Sequence, residues 1–191
     1  MDPKALLAIL HTAEKLKDTT RHCYTTGGRH ESVAEHSWRC ALTAYFLKDQ
    51  FPDVDMEKVI TMCLIHDLGE AFTGDIPSFY KTTKDEENED MLLQKWVDTL
   101  PYPYRDEMTQ LYEEMAQRTT AEARIFKAID SMEAVIQHNE SSLDTWIPKE
   151  FSLNLTYGED KVAFDPYLVN LRQALREETE EKLRTEGKIT R

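Results

Sequence analysis

His66 and Asp67 are adjacent in the chain, and Glu70 follows within one helical turn. On a helix, His66 and Glu70 are i, i+4 neighbours and Asp67 and Glu70 are i, i+3 neighbours, so the three side chains share one face. The residues before them, Val59, Ile60, Met62, Cys63 and Ile65, are apolar. An imidazole and two carboxylates at the end of an apolar helix must face water or find a charged partner. A divalent cation is such a partner, and imidazole nitrogen with carboxylate oxygen suits zinc, manganese, iron, cobalt or nickel. His36 and Asp130 fit the same account. His36 lies between Val33 and Cys40 on the apolar side of its segment, and Asp130 sits between Ile129 and Val135. Three separate helices thus bring His36, His66, Asp67 and Asp130 to one site, as helix bundles do when they build metal centres. The plainer reading pairs each residue with a backbone group or an arginine, and a His-Asp dipeptide also arises by chance.

The elements that must position these residues read as helices. Leu6, Ile9, Leu10, Ala13 and Leu16 follow the spacing of one helical face. Ser32 and Glu35 form a capping box that opens a second helix through Cys40, Ala41, Ala44, Tyr45 and Leu47. A third follows Asp55 and runs into His66-Asp67, before a turn at Thr73-Gly74-Asp75-Ile76-Pro77. A fourth carries Leu92, Leu93, Trp96, Val97 and Leu100, and a short fifth carries Met108, Leu111, Tyr112 and Met115. Thr119 and Glu122 have capping-box spacing ahead of a sixth, with Ile125, Phe126, Ile129, Val135 and Ile136. Residues 140–163 read as a long loop, of the kind that is functional or mobile. Asp165-Pro166 then starts a last helix through Leu168, Leu171, Leu175 and Leu183. Strand signals are poor throughout, so the expected fold is all-α, with about seven helices.

Composition removes other classes of function. The 191 residues include 40% apolar and 31% charged types, which suits a folded globular domain. No run of 18 apolar residues is present, so no membrane span is expected. No basic segment leads into an apolar stretch at the start, so no secretory signal is expected. Three cysteines without a C-x-x-C pair argue against a disulfide framework or a thiolate zinc site and fit a reducing, cytoplasmic setting. A net charge of −13 disfavours nucleic-acid and anionic-membrane partners and means that an anionic substrate needs a strong local cation. No GxxxxGK[ST] or GxGxxG is present to cradle phosphate.

Glu35-His36-Ser37, the run His66-Asp67-Leu68-Gly69-Glu70-Ala71-Phe72-Thr73-Gly74-Asp75-Ile76-Pro77, and Asp130 together resemble the H…HD…D signature of the HD-domain metal-dependent phosphohydrolases. The branch they look like contains bacterial 5′-deoxynucleotidases and related eukaryotic HD-domain proteins. The similarity runs from about Arg21 to Asp130, and the C-terminal third is weakly diagnostic. The resemblance implies a single HD domain over residues 1–191, with a motif core of about 21–130 and a C-terminal helix of about 165–186 packing on it. It implies one divalent transition metal (cobalt, manganese, zinc, nickel or iron, with magnesium as an alternative), a small-molecule nucleotide substrate and a homodimer. Carried over residue by residue, His36, His66, Asp67 and Asp130 match the metal ligands. Glu70 and Asp75 match the acidic residues linked to catalysis, and Arg21 an arginine near the substrate. In one departure, the bacterial pattern follows that arginine with tryptophan, and His22 stands here. Preference for deoxyribose over ribose is therefore open.

The chemistry implied is removal of phosphate from (deoxy)ribonucleoside 5′-monophosphates. A bound cation lowers the pKa of water and offsets charge on a phosphoryl oxygen. Glu70 and Asp75 could orient or deprotonate the attacking water or protonate the leaving oxygen, and the sequence does not assign these roles apart. Taken alone, Glu70 is also a solvated helix end and Asp75 a turn residue or helix N-cap. Arg21, Arg29 and Lys81 are the candidate phosphate partners, each a solvated surface charge when judged alone; the resemblance favours Arg21 and the place after the Thr-Gly-Asp turn favours Lys81, while His22 is the candidate sugar contact. His30-Glu31 ahead of Glu35-His36 superficially resembles HExxH, but its histidines are six apart, which excludes the i, i+4 pair of that motif. His11, His22 and His138 show no ligand spacing, so no second metal is expected. Two alternatives stand beside this reading. One is hydrolysis of a larger nucleotide, a triphosphate or an alarmone, the latter disfavoured by Ala71 after Glu70. The other is a non-catalytic metal or nucleotide sensor, which would not need Glu70 and Asp75.

Overall fold

The computed structural model of the chain describes residues 1–186; residues 187–191, the tail of the expected single domain, lie outside that part. The elements are, in order, α1 (Pro3–Glu14), β1 (Thr20–Tyr24), β2 (His30–Ser32), α2 (Val33–Leu47), α3 (Met56–Ile65), α4 (Glu70–Thr73), α5 (Thr83–Val97), α6 (Tyr104–Gln117), α7 (Ala121–Glu140), α8 (Glu150–Thr156), α9 (Glu159–Val162) and α10 (Pro166–Thr185). Among the described residues seven of the helices have ten residues or more, so the all-α reading holds for the long elements. Their starts follow side-chain chemistry. Ser32 and Glu35 cap α2 reciprocally, Asp55 caps α3, and Asp165 with Pro166 opens α10.

α2, α3 and α7 pack side by side. Ala41, Ala44 and Cys40 keep the α2 surface shallow, so the backbone of α3 comes close. Val59, Met62, Ile129 and Met132 fill the space between the three helices and are almost fully buried. Each such side chain stabilises the fold by about 1.5–3 kcal/mol through removal of apolar surface from water. A second cluster joins Leu16 and Val33 to Leu68, Leu93, Val97 and Leu100, and so ties α5 to the turn after α3.

Several local expectations are corrected. A β-hairpin exists where no strand was expected: β1 and β2 pair antiparallel around a turn in which Gly28 takes φ +81°. Thr25 N–H donates to Arg29 O at 2.8 Å across that turn. The strands have five and three residues, too few for an alternating pattern to stand out. The cap of α7 is Thr120, whose Oγ accepts the Ala123 N–H at 3.2 Å, and not Thr119. Residues 140–163 are not one loop but carry α8 and α9, whose seven and four residues are too short to show a helical period. Leu143 and Trp146 anchor this segment against Leu183 of α10. Leu6, Leu7 and Leu10 of α1 are exposed; Ile9, Ala13 and, just beyond the helix, Leu16 are the positions of that face that meet the core, because α1 touches it along one edge. No helix among the described residues is long and apolar enough to cross a membrane.

Candidate active site

His36 stands in the first turn of α2, His66 and Asp67 directly after α3, and Asp130 midway along α7. The expected helix does not run unbroken from Val59 to Glu70. It ends at Ile65, and residues 66–69 form turns before α4 begins at Glu70. His66 keeps helical backbone angles, and its N–H reaches Met62 O. Gly69 lies where an added Cβ would meet Glu89 Cγ at 2.8 Å, so a larger residue there would have to displace that side chain of α5.

The donor atoms converge. His36 Nε2 lies 3.3 Å from His66 Nε2, 3.6 Å from Asp67 Oδ2 and 3.2 Å from Asp130 Oδ1. His66 Nε2 lies 3.1 Å from Asp67 Oδ2 and 3.7 Å from Asp130 Oδ1. Ligands of one zinc-class cation, each roughly 2.0–2.2 Å from it, sit at such separations, so the donor set fits a divalent metal. Both imidazoles are turned toward the centre by their other nitrogen. His66 Nδ1 donates to Cys63 O at 2.9 Å, and His36 Nδ1 donates to Glu133 Oε2 in a short contact. The charges alternate. Burial works against a proton on His66, but Asp67 and Asp130 outweigh it and lift its pKa to about 10. Burial works against the Asp67 carboxylate, but His66 and His36 hold its pKa at about 2. Asp130 is held well below the usual range, against burial, by Lys127 and the same two histidines.

Two further acids face the same space. Glu70 is buried, which removes the solvated-helix-end reading, and its Oε2 has no hydrogen-bond partner. Burial, then the charges of Asp67, Asp75 and Glu89, push its pKa up to about 10. Gly74, at φ +77°, ends α4 and turns the chain so that Asp75 reaches the cavity wall. Burial raises Asp75 as well, while Arg21 and His22 oppose the rise.

A cavity of about 220 Å³ opens over the donor cluster, lined by Arg21, His22, Glu70, Asp75, Lys81 and Lys127 and by the apolar Ile76, Pro77, Phe79 and Tyr157. Arg21 Nη1 meets Glu31 at 3.3 Å and Glu133 at 3.2 Å, which leaves its Nε and Nη2 donors for a ligand. Lys81 lines the cavity but pairs with Glu89 at 2.7 Å. His22 also lines it, with Nε2 3.0 Å from Glu150 and its ring edge-on to Phe79. His22 lines the cavity with its ring, and its buried Nδ1 has no hydrogen-bond partner. Arg29 is the solvated charge it reads as alone: its side chain is 62% exposed, pairs with Glu35 and lies outside this cavity.

Sequence reasoning missed Glu133, Arg39, Lys127, His138 and Glu150. Glu133 is one turn beyond Asp130 on the same apolar face, and there it binds His36, Arg21 and Arg39 at once. Lys127, one turn before, donates to Asp130 Oδ2 at 2.6 Å. Asp130, Ala134 and His138 step along α7 at four-residue intervals and all line the cavity. That stride from Asp130 is the signal that would have found His138.

The chain matches the family model described as HD domain over residues 13–171. It is 30% identical over 141 residues to a human protein named 5′-deoxynucleotidase HDDC2, covering 72% of this chain and 68% of that one. It is 26% identical over 141 residues to 5′-deoxynucleotidase hdd1 of Schizosaccharomyces pombe, covering 70% of each. A solved structure from Magnetospirillum magnetotacticum MS-1, named a predicted metal-dependent phosphohydrolase, superposes with a TM-score of 0.78 at 27% identity, covering 94% of this chain and 95% of that one.

Proposed function

The chain belongs to the HD domain family, and from that premise we propose that it is a metal-dependent phosphohydrolase that removes phosphate from 5′-nucleoside monophosphates, deoxyribonucleotides among them. The observation that carries the reading is the convergence of His36, His66, Asp67 and Asp130 at the floor of a cavity that also holds Glu70, Asp75 and Arg21. The relatives named 5′-deoxynucleotidase support the substrate class.

In this mechanism His36, His66, Asp67 and Asp130 hold one divalent cation of the cobalt, manganese, zinc, nickel or iron group. When bound, it supplies positive charge beside the phosphoryl oxygens and acidifies water. Glu133 and the Cys63 carbonyl keep the two imidazoles oriented. Arg21 presents its free guanidinium edge to the phosphate, a fork that matches phosphoryl oxygens better than a point charge. Lys81 and Lys127 add positive field while remaining paired with Glu89 and Asp130. Glu70 and Asp75 both face the cavity and burial favours a proton on each, so that one orients and deprotonates water while the other protonates the leaving oxygen. Phe79 and Tyr157 give the sugar and base an apolar wall, with the ring of His22 beside it.

The same charges favour a monophosphate. A triphosphate would need further cations, and the cavity sets Glu70, Asp75 and Glu86 beside Arg21, Lys81 and Lys127. The acid pair in the cavity also favours an enzyme over a sensor. The match over residues 13–171 supports one HD domain spanning the chain, and three free, buried cysteines support a reducing, cytoplasmic setting. Trp38, Leu42, Tyr45 and Phe46 form an exposed apolar face on α2, with Trp38 59% and Phe46 73% exposed, which supports a homodimer. Metal-stripped protein reconstituted with manganese, cobalt, nickel, zinc or magnesium and given nucleoside mono-, di- and triphosphates tests the reading. Phosphate release from dAMP and AMP is expected. Turnover of triphosphates with none of monophosphates would overturn it.

A further inference from the structure

A second group of donor atoms lies at the wall of the same cavity, apart from the residues that hold the first cation. β1 supplies His22 and Cys23, α7 supplies His138 and α8 supplies Glu150. Cys23 Sγ lies 3.8 Å from His22 Nε2 and 3.8 Å from His138 Nε2. Glu150 Oε1 lies 3.0 Å from His22 Nε2 and 3.1 Å from His138 Nε2. That carboxylate is buried, and Oε1 has no partner in hydrogen-bond geometry despite both nitrogens being close. Its other oxygen takes the Ile147 N–H at 2.8 Å. His138 Nδ1 donates to Ala134 O at 2.7 Å, which fixes the ring with Nε2 toward the group. Phe79 and Trp146 pack edge-on against His22 and His138 respectively.

We propose that His22, Cys23, His138 and Glu150 form a second metal site, separate from the first, that takes a thiophilic divalent cation of the zinc class. A tetrahedral zinc, roughly 2.3 Å from sulfur and 2.0–2.2 Å from nitrogen or oxygen, keeps sulfur about 3.6 Å from nitrogen and nitrogen about 3.4 Å from oxygen. The apo separations lie within a few tenths of an ångström of both. A thiolate, a carboxylate and two neutral imidazoles carry two negative charges and leave a dication site neutral, as burial demands. The sulfur ligand selects zinc over magnesium or manganese. His138 lies eight residues beyond Asp130 on the same helix, an axial distance of roughly 12 Å, too far for a bridged pair of cations. Four protein ligands close the coordination sphere, the pattern of structural zinc. The cation pins the hairpin and α8 to α7, and so fixes the cavity wall made by His22 and Glu150.

Cobalt(II) titration of the metal-stripped full chain tests this apart from catalysis, because the first site has no sulfur ligand. Two equivalents per chain are expected, one of them bringing sulfur-to-cobalt charge-transfer absorption in the near ultraviolet. Cys23→Ser should abolish that absorption and remove one equivalent. His66→Ala should remove the other equivalent and leave the absorption, and Cys40→Ala, which alters the thiol nearest the first site, should keep both. A single equivalent without charge-transfer absorption in the unaltered chain overturns the proposal, whatever the variants do. Absorption that survives Cys23→Ser, or disappears in Cys40→Ala, overturns it equally.

Discussion

Glu133→Gln separates a residue that positions a ligand from the ligands themselves. Glu133 Oε2 accepts the His36 Nδ1–H and lies 3.2 Å from Arg21 Nη1, while Oε1 accepts from Arg39 Nε at 2.7 Å. Glutamine keeps the volume but has only one acceptor oxygen, so its NH₂ must face either the imidazole N–H or a guanidinium. His36 then loses the bond that holds Nε2 toward Asp67, His66 and Asp130. Loss of such an outer partner costs about 10–100-fold in metal affinity, which is about 1.4–2.8 kcal/mol. The fold should suffer less than the roughly 3–5 kcal/mol of an orphaned buried charge. Arg21 retains Glu31, and Arg39 retains Gln137 and Glu140. Chelator-competition titration with cobalt gives the affinity, and thermal denaturation followed by circular dichroism checks the fold. A folded Glu133→Gln protein that binds cobalt within twofold of the unaltered chain would refute the reasoning.

Glu70→Gln should keep its metal and lose about 10²-fold or more in kcat, the scale of a positioned acid or base; near-normal kcat at full metal content would remove Glu70 from the chemistry. Arg21→Lys should raise KM for dAMP more than it lowers kcat, because lysine cannot hold Glu31 and Glu133 and still present a fork; an unchanged KM would contradict this phosphate contact. Glu133 and Glu150 have their pKa values held at about 2, by His36 and the two arginines and by His138 and His22 respectively, in both cases against burial. Both lie below the unfolded value of about 4.3. Their contribution to stability is therefore complete above about pH 4.3 and is lost as pH falls toward 2. Urea denaturation between pH 5 and pH 2.5 should show falling stability, with a shallower fall in Glu133→Gln; parallel curves for the two proteins would contradict the assignment.

The proposed ligands were legible because each breaks an apolar pattern. His36, His66 and Asp130 are polar interruptions in helix faces otherwise suited to burial, and that is visible without coordinates. Helix starts were legible where a side chain caps the backbone, at Ser32, Asp55 and Asp165. The partners of the ligands were not legible. Glu133 and Lys127 read as ordinary charges on a mixed helix, and only the packing of α7 against α2 shows that Glu133 is buried on His36. Arg29, a solvated charge when judged alone, is one here: the hairpin leaves its side chain exposed and paired with Glu35. His22, Cys23, His138 and Glu150 come from three elements, one a seven-residue helix and one an unexpected strand, so no spacing in the sequence could have joined them.

Metal dependence of phosphate release tests the central claim most directly. Full-length protein is stripped with chelator, dialysed, and assayed on dAMP before and after cobalt or manganese is restored, beside Asp130→Ala treated in the same way. The account predicts no release from the stripped protein, recovery on adding metal, and no recovery in Asp130→Ala, whose elemental analysis should show that it lacks the cation at the first site. Full activity after complete stripping, or a metal-restored Asp130→Ala protein that turns over like the unaltered chain, would contradict it.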